Sequence, residues 1–140
     1  MAGKKQSSFV LDREACLFCA ANPNCLNLLK GGSAKPKIYT LSSIRKVIRK
    51  MDSGVMWNSL EQAVGLSCYP EDASFFAMCG SLRQAANALS PARANFEEEK
   101  LQVIAVARIL NCTIITRDTS TSSSSMLQIS ARFAVKTYPL

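Results

Sequence analysis

The sequence predicts an α/β fold, a three-layer α/β/α sandwich around a central, mostly parallel sheet, and three observations predict it. Strand-like and helix-like segments alternate along the whole chain, the pattern of a sheet covered by helices on both faces. The clearest pair is Leu101–Asp118 (LQVIAVARILNCTIITRD), where a helix apolar on nearly every face runs into a short β-branched run. Such a run suits a strand buried on both faces. The 140 residues and 48% apolar content fit one packed domain, residues 1–140, without an internal repeat. Right-handed crossovers then bring such a chain into three layers.

The elements follow in order. Residues 1–7 are expected to be a flexible lead-in. Ser8–Leu11 (SFVL) is a short apolar strand ending at Asp12. Glu14–Leu29 is a helical stretch broken around Asn22-Pro23-Asn24, and Lys30-Gly31-Gly32-Ser33 is a turn. Lys37–Leu41 is a second strand, after which Ser42 or Ser43 caps a helix to Asp52. That helix carries Ile44, Val47, Ile48 and Met51 on one stripe and Arg45, Lys46, Arg49 and Lys50 on the other. Val55–Val64 is a short helix with the single tryptophan, Trp57, and Leu66–Tyr69 a third strand stopped by Pro70. Glu71–Leu89 is a long helix with Phe75, Phe76, Met78, Cys79 and Leu82 as core candidates. Ser90-Pro91 marks a loop, Asn95 caps the next helix, and Asn111 ends it, since Asn tolerates the left-handed conformation. Cys112–Thr116 is the fourth strand, Thr119–Ser125 a polar loop expected to be mobile, Met126–Arg132 a helix, and Phe133–Tyr138 the last strand.

Composition narrows the function classes. Seventeen Lys and Arg against ten Asp and Glu give +7, which favours anionic partners such as RNA or DNA. No apolar run reaches the roughly 18 residues of a membrane span, and MAGKKQSS lacks the apolar stretch of a signal peptide. An intracellular, cytoplasmic protein without membrane contact is the expectation. Among six cysteines, Cys16, Cys19 and Cys25 form a C-x2-C-x5-C cluster, but no histidine and no second C-x2-C completes a zinc site. Packing as small apolar side chains is the favoured reading for them, ahead of a metal or redox role. The lack of histidine also removes the commonest general base.

Two aspartates stand just past strands: Asp12 after the first and Asp118 after the fourth. In open α/β sheets, that carboxyl edge is where ligands bind. If the two strands are neighbours, their carboxylates converge, and clustered carboxylates suit hard cations such as Mg2+ or Mn2+. The competing reading is that each aspartate caps the helix after it. Arg45, Lys46, Arg49, Lys50 and Arg117 are candidates for contact with an RNA backbone, against the plainer reading of a solvated helix face. Aromatic side chains are few, so base stacking is not an expectation.

Five segments, Phe9-Val10-Leu11-Asp12, Ile38–Met51, Cys68-Tyr69-Pro70 with Glu71–Leu82, Ile104–Asp118 and Met126–Pro139, follow in an order and spacing that resembles the PIN domain. That nuclease fold occurs in toxins of bacterial toxin–antitoxin pairs and in RNA-processing enzymes. The resemblance covers nearly the whole chain. It implies a divalent-metal-dependent ribonuclease that cleaves single-stranded RNA by metal-activated water. Asp12 matches the family's first catalytic aspartate and Asp118, in Thr116-Arg117-Asp118, its fourth acidic position. The resemblance further implies RNA and an antitoxin-like protein or a processing complex as partners, and a homodimer.

Two positions depart from the family. Where it carries a glutamate after the second strand, this chain has Lys46, a charge reversal expected to lie inside the metal site and to weaken cation binding. The third acidic position aligns with Lys100, and a one-residue shift brings Glu99 into the site as the third ligand. Asn95 with Glu98 also has capping-box spacing, which gives these glutamates a structural role instead. Glu14 is a weaker substitute, because its helical register turns it from the site. A degenerate PIN-like module that binds RNA or a protein without cutting is therefore the alternative. An unrelated basic interaction protein, such as a viral accessory factor, is the third reading.

Overall fold

The computed structural model describes residues 8–22, 37–89, 97–120 and 125–139. In chain order they form β1 (Ser8–Leu11), α1 (Arg13–Ala21), β2 (Lys37–Thr40), α2 (Ser42–Met51), α3 (Val55–Val64) and β3 (Ser67–Cys68). Then come α4 (Ala73–Leu89), α5 (Glu98–Leu110), β4 (Thr113–Thr116), α6 (Met126–Arg132) and β5 (Thr137–Pro139). The sheet has the order β3-β2-β1-β4-β5, and every described pair is parallel.

From β1 the chain steps outward through β2 to β3, then returns to β4 on the other side of β1 and steps the opposite way to β5. Right-handed crossovers put α1, α2 and α3 on one face of the sheet and α4, α5 and α6 on the other. Packing agrees, since α3 lies against both α1 and α2 while α4 runs along α5. The result is the three-layer α/β/α architecture. Val10, Leu11, Ile114 and Ile115 are all fully buried. Adjacent strand residues point to opposite faces, so both faces of β1 and β4 are covered. Helix α5 closes one of them, resting on β1 and β4 with Leu101, Val103, Ile104, Ala105, Val106 and Ala107 buried.

Several boundaries differ from the sequence reading for local reasons. The first helix is described to Ala21, capped by Asn22, whereas 23–36, with Cys25 and the Gly31-Gly32 turn, lie outside the described residues. Neither Ser42 nor Ser43 caps α2: both lie inside the helix, Leu41 holds the cap position, and Ser43 Oγ is buried without a hydrogen-bond partner among the described residues. Helix α4 starts at Ala73 because Asp72 Oδ1 accepts the Phe75 N–H at 2.9 Å. Helix α5 begins at Glu98 with Glu97 at its cap position and no capping side chain, while Asn95 lies outside the described residues. The last strand is Thr137–Pro139, because Phe133 ends α6 and the chain turns through Ala134 at φ 57°. Met51 and Phe76, expected in the core, are 57% and 56% exposed.

Of the five described cysteines, Cys16, Cys19 and Cys79 are buried. Cys16 donates to Thr40 Oγ1 at 3.5 Å, and burial pushes its thiol up to about 12, so it packs rather than reacts. No described helix is long and apolar enough to cross a membrane.

Asn111 ends α5 in the left-handed conformation at φ 51°, ψ 50°, so that the chain can turn directly into β4. Asn111→Gly is expected to preserve stability. Asn111→Val, β-branched at a positive φ, is expected to cost about 1–2 kcal/mol in urea denaturation.

Candidate functional site

Strand order reverses between β1 and β4, and a crevice opens at the carboxyl ends of strands at such a switch point. Asp12 and Asp118 follow those two strands, and both line a cleft of about 820 Å3 there. Register explains their approach: Leu11 pairs with Ile115, and the Asp12 N–H donates to the Ile115 carbonyl at 3.4 Å.

Asp12 is held from two sides. It caps α1, its Oδ1 accepting the Ala15 N–H at 2.9 Å, while its Oδ2 accepts a hydrogen bond from the Thr116 hydroxyl. The same hydroxyl accepts the Asp118 N–H at 2.9 Å, so one Thr116 side chain links the two aspartates. Asp12 is only 6% exposed. Burial, helped by the negative charges of Asp118 and Glu14, pushes its carboxyl up to about 6 against the pull of these hydrogen bonds. Asp118 in turn orders the start of α6: its Oδ2 accepts the Met126 N–H at 2.9 Å and its carbonyl the Leu127 N–H at 3.1 Å. Asp12 thus caps α1 and also shares the cleft with Asp118, whereas the cap of α6 is Ser125, whose Oγ accepts the Gln128 N–H at 3.2 Å.

Glu99 lines the cleft with Glu97, whereas Glu98 points to α4 and pairs with Arg83 at 2.7 Å. Glu14 also lines the cleft, contrary to the expectation that its helical register turns it away. Five carboxylates and three cations (Arg13, Lys100 and Arg117) thus face one another, leaving a formal charge of −2 on a chain that carries +7. Half of the ten acidic residues are gathered here.

Lys46 is not among the residues lining this cleft; it is exposed and lines a separate surface hollow with Arg49, Lys50 and Ser53. The reason is rotation along α2. Ile44 and Ile48 face the core, which leaves Lys46, Arg49 and Lys50 on the outer side. Arg45 lies over the Trp57 ring, 5.9 Å from its centroid. The counter-charge expected from Lys46 comes instead from two residues that sequence reasoning did not assign to it. Lys100 Nζ sits 2.8 Å from Asp118 Oδ2, and Arg13 Nη2 sits 2.5 Å from Glu99 Oε2. Among the described residues no three carboxylates or thiols stand close enough together to hold a metal ion. Arg117 lines the same cleft, its guanidinium stacked 3.9 Å from the Phe18 ring centroid, and makes no ion pair among the described residues. Thr116 and Phe18 were also missed: one lies at the last strand position before the Arg117-Asp118 pair, the other within an apolar helix.

The sequence matches no model of a known protein family, and no curated protein matches it.

The Asp12 environment makes stability depend on pH. Between about 4 and about 6 the folded chain retains a proton that the unfolded chain releases, so stability falls as pH rises through that window. Above it, the cost is on the order of 2–3 kcal/mol. Asp12→Asn is expected to be more stable than the parent near pH 8 and equal to it near pH 4, as read by urea midpoints.

Proposed function

We propose that this cleft is the active site of a divalent-metal-dependent ribonuclease of the PIN type, acting inside the cell on single-stranded RNA. The observation that carries the reading is the convergence of Asp12 and Asp118 at the switch point, joined through Thr116, in a net-negative cleft of a basic protein. A phosphodiester approaching that many carboxylates needs a cation between them.

The donor chemistry fits Mg2+ or Mn2+, because every candidate ligand is a carboxylate oxygen and no thiol among the described residues lines the cleft. Asp12 and Asp118 would hold the ion once Lys100 is drawn off Asp118, and Glu99, released from Arg13, would close on it as the third ligand. When bound, such an ion supplies an activated water and neutralises charge on the phosphodiester. The chain's own residues do the rest. Thr116 orients the Asp12 carboxylate toward the cleft from β4, and burial keeps it there. Arg117, held by the Phe18 ring rather than by an acid, offers its guanidinium fork to a phosphate. The hollow of Lys46, Arg49 and Lys50, beside Arg45, docks the RNA backbone away from the cleft.

The second reading is a PIN-like module that binds RNA, or an antitoxin-like or processing partner, without cutting. The two ion pairs on Asp118 and Glu99 favour it, since they satisfy two acids internally.

RNA cleavage with Mn2+ and with EDTA separates the two. Mn2+-dependent cleavage that falls by about 100-fold or more in Asp12→Ala and Asp118→Ala is the expected result. Equal products in all samples, or none in the parent, would leave only the binding reading. For the basic hollow, Lys46→Ala combined with Arg49→Ala is expected to reduce the salt dependence of RNA binding by about 1.4 in log–log slope, roughly 0.7 per lost phosphate contact. An unchanged slope removes the hollow from the RNA path.

A further inference from the structure

Four residues of the cleft are tied in pairs across elements. Arg13 of α1 reaches Glu99 of α5 at 2.5 Å, and Lys100 of α5 reaches Asp118 beyond β4 at 2.8 Å. The Lys100 and Asp118 side chains are 20% and 25% exposed, so this pair sits inside the cleft mouth rather than on the open surface. Arg13 meets Glu99 through one nitrogen only. Its Nε–H is buried and has no hydrogen-bond partner among the described residues. A guanidinium normally engages a carboxylate or phosphate through two parallel bonds, and an unmade buried donor is costly. Half of the Arg13 fork therefore faces no acceptor, although four other carboxylates line the same cleft.

We propose that Arg13 and Lys100 each have two stations: the carboxylates Glu99 and Asp118 in this structure, and the phosphates of an RNA strand when it enters the cleft. The proposal rests on the reading of the cleft as a cation-assisted RNA site. Its physical basis is an exchange of partners. A divalent cation arriving alone must displace an ammonium and a guanidinium from the acids it needs. A phosphate arriving alone meets unscreened carboxylates. Arriving together, the phosphate takes Lys100 and Arg13 while the cation takes Asp118 and Glu99, so each ion pair lost is replaced by another. The planar Arg13 fork gains a second acceptor for its unused Nε–H, and Lys100 follows as a flexible point charge. Cation and RNA then raise each other's affinity by the same factor, as linkage requires.

The test is Mn2+ affinity of the full chain, read by electron paramagnetic resonance, with and without a short oligothymidylate that supplies phosphodiesters. The oligonucleotide is expected to tighten Mn2+ by about 5-fold or more, within the usual range of coupling between sites. Lys100→Met and Arg13→Met are each expected to tighten Mn2+ in its absence and to shrink the oligonucleotide effect. Lys100→Gln, which keeps a polar side chain, should do the same if Lys100→Met folds poorly. Mn2+ bound equally with and without oligonucleotide, or equally by parent and variants, overturns the exchange and leaves the cation-dependent site standing. No Mn2+ bound by any of them overturns both.

Discussion

The pairing of β1 with β4 is the constraint on which the candidate site depends. Strand order reverses there, so the carboxyl ends of two neighbouring strands diverge into helices on opposite faces and leave a crevice between them. The register is set by burial rather than by the site. Val10, Leu11, Ile114 and Ile115 fill both faces of the sheet, and a one-residue slip would exchange every side chain from face to face. With that register in place, the Thr116 hydroxyl falls beside Asp12 and the Asp118 N–H turns back onto it. The apolar core thus determines how two carboxylates are held at the sheet edge.

That arrangement runs against the fold's own preferences. Asp12 is nearly sealed, and its carboxyl holds a proton to about pH 6 although its hydrogen bonds favour the charged form. Asp118 and Glu99 each carry a cationic partner from a different element. Stability would be served by fewer charges here, and the gathering of half the acidic residues of a basic chain is what sets this edge apart from the rest of the surface.

Much of this was legible in the sequence where local chemistry decides. The β-branched run into Asp118, the apolar helix before it, the left-handed Asn111 and the Met126–Arg132 helix need only periodicity and capping rules. Convergence of Asp12 with Asp118 followed once their strands were supposed neighbours. The cations were harder. Lys46 sits on the outer side of α2, and the counter-charges are Lys100 and Arg13, whose partners lie on other elements. No spacing along one element encodes such pairs. Met51 and Phe76 mark the same boundary: helical period shows which side is apolar, but not whether a neighbour covers that side to its end.

The linkage through Thr116 also has a consequence in time. Asp12 and Thr116 stand 104 residues apart, so the cleft belongs to a long-range contact that local helix formation cannot supply. On a ribosome, β1 and α1 emerge while β4 is still unmade, and a nascent chain truncated before Thr116 has neither the second aspartate nor the hydroxyl that orients the first. Whatever chemistry the cleft performs is withheld until β4 has been made and has paired with β1.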